Sequence, residues 1–392
     1  MSAAQCAQWL CNARLVLPDR VAPGCVLVGG DRIERVLAGP PAEPCAPCMD
    51  LKGQYLAPGF VEIHSHGAGG HDFMDGTPEA FEGAAETHLQ HGVTTLFPTS
   101  VAADFESLMQ FLRTFQRMKG PLMPGVHFEG PYISTEMRGA IDPRHIRNPD
   151  PQEYEALLEF AGGDIRRWTA APELPGALAF ADTLQRRGVL PSIGHTCASY
   201  ADIERACRHG FTHFTHLYSA MSTITRKGGF RVTGAIESAY ILEDATVEVI
   251  ADGCHLPLEL LAYVYRAKGA DRVCLTGDSM RCAGTDAGAA VIGPRTGGLP
   301  VIVEDGVAKL PDRSAFAGSV ALADRLLRTA LAAGIPLHGA VRMMSLTPAR
   351  VMGLDREIGS VEAGKQADLV VFSSEIEIKS VMKGGTWVWT SD

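Results

Sequence analysis

No stretch of the 392 residues approaches the roughly 18–20 uncharged apolar residues that a membrane-spanning helix requires. Nor does the segment from Met1 to Leu17, with Arg14 and no long apolar core, read as a secretory signal. Clustered lysine and arginine are missing: 35 basic against 45 acidic residues leave a net charge of −10. Nucleic acid is thereby set aside as a partner, because phosphate backbones demand grouped cations. A disulfide framework is missing too. The ten cysteines are irregularly spaced, and one C-x-x-C pair, Cys45 and Cys48, has no second pair to complete a zinc motif, so the thiols read as reduced and structural. Long linkers, repeats and low-complexity tracts do not occur. What remains, 46% hydrophobic and 20% charged residues, is a folded, soluble chain, expected in the cytoplasm and acting on a small molecule with neither membrane nor nucleic acid as partner. Its length suits a barrel of roughly 250 residues with a smaller accessory unit.

The middle of the chain repeats a β-rich run, a polar turn and a helical stretch. Strands are expected at Phe60–His66, Thr94–Thr99, Gly125–Glu129, Trp168–Glu173, Pro191–His195, Thr212–His216, Thr246–Asp252 and Arg272–Asp278. Eight strands about 30 residues apart predict a closed (β/α)8 barrel of the triosephosphate-isomerase (TIM) type. Helix starts fit: Thr77 caps before Pro78, and Ser199 with Asp202 forms a capping-box pattern. Residues 10–57 and 358–390 read instead as antiparallel strands. Because chain termini often lie close together, both ends are assigned to one small β-sandwich. The expected division is 1–57 plus 350–392 for that unit and 58–349 for the catalytic barrel.

Histidines and acids fall at or just past the expected strand ends. His64 and His66 end strand one, Glu129 strand three, His195 strand five, His216 strand six and Asp278 strand eight, and His255 follows strand seven. Catalytic groups of this fold gather on that face. Two residues apart on a strand, His64 and His66 point the same way and can grip one ion. Imidazole and carboxylate ligands suit zinc, with iron or another divalent ion as alternatives, and His195, His216 and Glu129 complete one site or two. Such an ion makes hydroxide available near neutral pH, and Asp278 can serve as general base and then general acid. The reaction expected is hydrolysis. His71, His88, His91, His127, His145, His209, His213 and His338 read as ordinary structural histidines. Gly67–Gly70 has no following helix start, so it is no dinucleotide loop.

These residues sit in Pro58-Gly-Phe-Val-Glu-Ile-His-Ser-His-Gly67, His127-Phe-Glu-Gly-Pro131, Gly194-His-Thr196, Thr215-His-Leu-Tyr-Ser-Ala-Met221, Ala251-Asp-Gly-Cys-His255 and Thr276-Gly-Asp-Ser-Met-Arg281. With the closing segment Gly359–Phe372, the chain resembles the amidohydrolase superfamily and, within it, the N-acetylglucosamine-6-phosphate deacetylase family over nearly its whole length. The resemblance implies that Glu129, His195 and His216 bind the main metal, that His64 and His66 support a second, that Asp278 is the acid/base and that His255 contacts the sugar. It implies a homodimer in which an Arg of one subunit reaches the phosphate in the other. Three positions depart from the family pattern. Ile141 stands where a histidine helps to hold the substrate amide, which leaves that task to the metal or to another donor such as His145. Ser219-Ala220-Met221 replaces Asn-Ala-Met, and Arg226-Lys227-Gly228-Gly229 replaces the Arg-Glu-Pro-Gly of the phosphate site, where the two glycines are expected to loosen the loop. The expected activity is metal-dependent hydrolysis of the N-acetyl amide of an amino-sugar phosphate. Cleavage of a different amide or of a ring amine is the nearer alternative, and a non-catalytic metal-binding scaffold is the more distant one.

Overall fold

The computed structural model describes residues 7–39 and 46–391, so Cys6 and Cys45 lie outside the described residues. Eight parallel strands carry the barrel: β1 (Phe60–Ser65), β2 (Val93–Ser100), β3 (Val126–Glu129), β4 (Ile165–Ala170), β5 (Leu190–Ile193), β6 (His213–Phe214), β7 (Thr246–Ile250) and β8 (Val273–Thr276). Each is hydrogen-bonded to its neighbour in sequence, from β1 round to β8. Most are shorter at their C-terminal ends than the sequence pattern suggests. His195, His216 and Asp278 lie beyond their strands rather than ending them, each in the left-handed backbone region (φ 49°, 34° and 44°). The chain turns over the barrel rim at these residues, and an alternating apolar pattern cannot register that turn.

The barrel closes through a seam of its own. β1 and β8 share no strand ladder; the Glu62 carboxylate accepts from Thr276 Oγ1 (2.5 Å), Gly277 N (3.0 Å) and His64 N (2.9 Å) instead. Just above, His66 N donates to Ser279 O at 2.8 Å. The buried Glu62 carboxylate, with these backbone and hydroxyl bonds, ties the strand bearing His64 and His66 to the one leading into Asp278.

Helices cover the outside with the expected start chemistry. Thr77 accepts from Ala80 N at the head of helix Pro78–Gln90, and Ser199 and Asp202 form a reciprocal capping box before helix Tyr200–Cys207. Apolar faces of these and neighbouring helices bury Phe81, Phe111, Leu157, Phe180 and Ile203 against the strands.

Both chain ends build a separate eight-stranded sheet, in which Tyr55–Pro58 pairs with Gln8–Val16 on one side and Leu369–Phe372 on the other. It wraps its own apolar core, including Leu10, Val26, Ile33, Leu56, Leu369 and Met382. Two small elements had no clear sequence signal. A hairpin joins Thr225–Lys227 to Phe230–Val232, and a three-stranded sheet (Ala289–Ile292, Leu299–Glu304, Val307–Lys309) follows β8. In the hairpin, Gly228 and Gly229 adopt φ of 57° and 86° and close a two-residue turn, so they tighten the loop rather than loosen it.

Candidate active site

At the C-terminal rim the expected residues converge. His195 Nε2 lies 3.1 Å and His216 Nε2 2.9 Å from Glu129 Oε1, and the two nitrogens are 3.0 Å apart. His66 Nε2 sits 3.1 Å from the other oxygen, Glu129 Oε2, and 3.3 Å from Asp278 Oδ1. His64 Nε2 points at the same cluster, 3.5 Å from Glu129 Oε1 and 3.4 Å from Asp278 Oδ1. Each of these six residues is less than 9% exposed. Two groups have ligand atoms close enough to share one ion, His64–His66–Glu129 and Glu129–His195–His216, with Glu129 common to both.

The hydrogens that these rings carry leave a donor set that fits a metal. His195 Nδ1 is 2.8 Å from Met137 O, and a carbonyl only accepts, so Nδ1 carries the hydrogen and Nε2 of the neutral ring is a bare lone pair. His64 Nδ1 is likewise 2.7 Å from the Glu248 carboxylate. Its Nε2 is buried and has no hydrogen-bond partner among the described residues. Lone pairs of two rings and a carboxylate thus face one another, an arrangement that a bound cation resolves. The electrostatics agree. Burial pushes the Glu129 carboxyl up, but His64, His195 and His216 hold it well below the usual carboxylate range. Asp278 is likewise raised by burial yet held low on balance by His64 and His66. Burial pulls His66 down, but Asp278 and Glu129 hold it up at about 9.

Glu129, His195, His216 and Asp278 open onto a cavity of about 360 Å3, walled by Met137, Ile141, Ile250, Ile292 and Phe316. His255 lines it with Nδ1 on Asp252 Oδ2 (2.8 Å) and its ring 4.8 Å from that of Phe316. Ser219 and Ala220 line it from a turn in which Tyr218 and Ala220 have positive φ. Left-handed non-glycine residues are uncommon, and five of the ten in the described chain belong to this site. Ile141 is buried in the wall and offers no polar group from its side chain. His145 lines an adjoining cleft with Asp104 and Arg144 rather than the cavity itself. Arg226 and Lys227 are exposed on the hairpin, and no lysine or arginine of the described residues lines the cavity.

Three of the histidines read as structural are held by hydroxyl groups. His88 contacts Ser65 Oγ (2.8 Å), His127 contacts Thr169 Oγ1 (2.7 Å) and His213 contacts Thr246 Oγ1 (2.8 Å). Sequence reasoning missed Glu62, Arg167 and Glu248. Each is a charged residue inside a barrel strand, and a charge at an interior position looks the same in sequence as one at a solvent-facing position.

A (β/α)8 barrel whose C-terminal rim carries two histidine–glutamate groups able to hold metal ions, beside a buried aspartate, defines the class as a barrel hydrolase with a metal-type centre. Residues 55–388 match the model of the amidohydrolase family, and the chain belongs to that family of hydrolytic enzymes. It is 30% identical over 366 residues to the N-acetylglucosamine-6-phosphate deacetylase of Haemophilus influenzae, covering 92% of this chain and 94% of that one. The human enzyme of the same name is 30% identical over 355 residues, covering 88% and 85%. Among solved structures, a variant of the Mycobacterium smegmatis N-acetyl-D-glucosamine-6-phosphate deacetylase in complex with N-acetyl-D-glucosamine-6-phosphate superposes with a TM-score of 0.91 at 33% identity, covering 98% of this chain and all of that one. The Pasteurella multocida N-acetylglucosamine-6-phosphate deacetylase gives 0.91 at 26% identity, with the same coverage.

Proposed function

We propose that this enzyme hydrolyses the N-acetyl amide of an amino-sugar phosphate resembling N-acetylglucosamine-6-phosphate, releasing acetate. One observation carries the reading: Asp278 faces the cavity beside five converging imidazole and carboxylate ligands. His64, His66, Glu129, His195 and His216 would hold one or two divalent ions, zinc first. Such an ion polarises an amide carbonyl and brings the pKa of water toward neutrality. Asp278, kept ionised by His64 and His66, accepts the proton of the attacking water at its carboxylate and then delivers it to the departing amine. His255, its Nδ1 anchored on Asp252, keeps Nε2 for a substrate oxygen. The turn at Ser219 and Ala220 shapes the opposite wall.

Among the described residues no lysine or arginine lines the cavity to meet a phosphate, so the reading includes a homodimer whose hairpin supplies Arg226 or Lys227 to the partner's site. Exposed apolar side chains support it: Ile224 and Phe230 on and beside the hairpin, with Ile241, Leu258 and Tyr263 following in sequence. A guanidinium forks onto phosphate whereas an ammonium acts as a point charge, so Arg226 is the stronger candidate. The eight cysteines among the described residues are free, in keeping with a cytoplasmic location. We keep the expected division into a barrel and an accessory unit, but helix Leu346–Val351 crosses residue 350 and its Ala349 packs with Val61 and Ile63. That packing supports placing the end of the catalytic unit a few residues past 350.

A second reading, an amide or ring amine without phosphate, is favoured by that cation-free cavity and by Ile141. Kinetics with phosphorylated and unphosphorylated N-acetylglucosamine separate the two. Arg226→Ala is expected to raise KM for the phosphorylated sugar at least ~10-fold, as loss of a charge-assisted pair implies, and to leave the unphosphorylated one nearly unchanged. Equal kinetics on both sugars, in wild type and variant alike, would mean that phosphate is not recognised.

A further inference from the structure

Barrel interiors of this fold are ordinarily filled by layers of branched apolar side chains. Here the interior below the metal-type centre holds an ion pair: Arg167 on β4 and Glu248 on β7, both fully buried, with Arg167 Nη1 2.6 Å from Glu248 Oε2. Burying two charges is costly, and apolar residues of similar volume often serve stability as well or better. The pair therefore calls for a reason beyond holding the barrel together, and its remaining bonds supply one.

Glu248 Oε1 accepts from His64 Nδ1 at 2.7 Å and from the backbone N of His216 at 3.3 Å. Arg167 spends its other hydrogens on Thr215 Oγ1 (2.8 Å), Ser192 Oγ (3.1 Å) and the carbonyl of Ile63 (3.3 Å). Two of these partners, Ile63 and Thr215, immediately precede His64 and His216 in the chain. The guanidinium has no second carboxylate to choose, so it fixes the Glu248 carboxylate in place. The carboxylate in turn fixes which His64 nitrogen carries the hydrogen. With Nδ1 committed, Nε2 presents its lone pair toward Glu129 and Asp278. The other group depends on Glu248 far less: the His195 ring is oriented by Met137 O, and Glu248 meets His216 only at its backbone.

We propose that Glu248, locked by Arg167, is a positioning residue that sets the tautomer and orientation of His64 and so selectively maintains the His64–His66–Glu129 metal subsite. This rests on the reading that those three residues hold an ion. It makes the second subsite conditional on a buried pair whose members, three strands apart in the barrel, are not themselves ligands, and separable from the first subsite by mutation.

The test is equilibrium dialysis of the purified full chain against a Zn2+ series, with metal per chain measured by elemental analysis and folding followed by thermal unfolding. Wild type is expected to take up two ions. Glu248→Gln keeps the shape, but its amide hydrogens face His64 Nδ1 when its oxygen faces Arg167, which favours the wrong tautomer. The expected result is one ion bound with wild-type affinity and the other weakened at least ~10-fold, the lower range for loss of a ligand's supporting partner. The double variant Arg167→Met with Glu248→Leu leaves no unpaired buried charge, so it guards against simple misfolding. It is expected to lose the same ion while unfolding near the wild-type temperature. Two ions bound with wild-type affinities in either folded variant would overturn the proposal and leave the pair a structural one. A wild type that binds a single ion, unaltered by His64→Asn, would overturn it as well. Acetate release by that same wild-type preparation would then show the functional reading still standing.

Discussion

Of the proposed roles, that of Asp278 is the most demanding, and its backbone permits a clean test. Its φ of 44° is a conformation that asparagine tolerates better than most residues, so Asp278→Asn alters the charge with little added strain. Turnover measured as acetate release is expected to fall at least ~10²-fold with the circular dichroism spectrum unchanged. Near-normal turnover would reduce Asp278 to a structural acid. The residues that converge at the candidate site were legible in sequence because H-x-H on a strand and polar residues at strand ends are rare where apolar pattern dominates. Glu248 and Arg167 were not, because nothing in the local pattern says that an acid in Thr246–Ile250 faces another strand's arginine across the interior. Ile141 shows the converse: its sequence position was visible, but only the structure shows it as an apolar piece of the cavity wall.

Elements were legible where a period or a cap announced them. The strand rhythm and the Thr77 and Ser199 caps did so; the three-stranded sheet after β8 did not, because its short strands fall outside the βα rhythm. The β1–β8 seam was equally hidden, since Glu62 reads as an ordinary acid within a strand. Glu62→Ala leaves Gly277 N and His64 N without their acceptor, while Thr276 Oγ1 keeps the His64 carbonyl at 3.0 Å, and buried donors so orphaned cost roughly 1–3 kcal/mol each. A denaturant midpoint shifted to lower concentration is expected; an unmoved midpoint would show that the seam is redundant. A second junction gives a pH signature. Burial pushes Asp324 up, but its bonds to His91 and Arg328 hold the carboxyl down at about 2, tying helix Ala323–Ala332 to the end of helix Pro78–Gln90. Because the folded value is below the unfolded one, this contribution is fully present above pH ~4 and is lost as pH falls toward 2. Urea midpoints of Asp324→Asn should therefore lie below wild type at pH 6 and approach it at pH 3. A constant gap across that range would contradict the assignment.

At the scale of the whole molecule, each part has a distinct physical task. Parallel strands bring distant histidines to one rim, the polar interior fixes their nitrogens, and the sheet built from both chain ends packs its own core beside the barrel. On the proposed reading, this assembly performs metal-dependent cleavage of an N-acetyl amide. The most direct measurement is simultaneous quantification of acetate, free amine and ammonia from N-acetylglucosamine-6-phosphate, before and after chelation and after return of Zn2+. One acetate per free amine formed and no ammonia are expected, with activity abolished by the chelator and restored by the ion. Ammonia without acetate, or acetate release indifferent to chelation that has removed the metal, would contradict it.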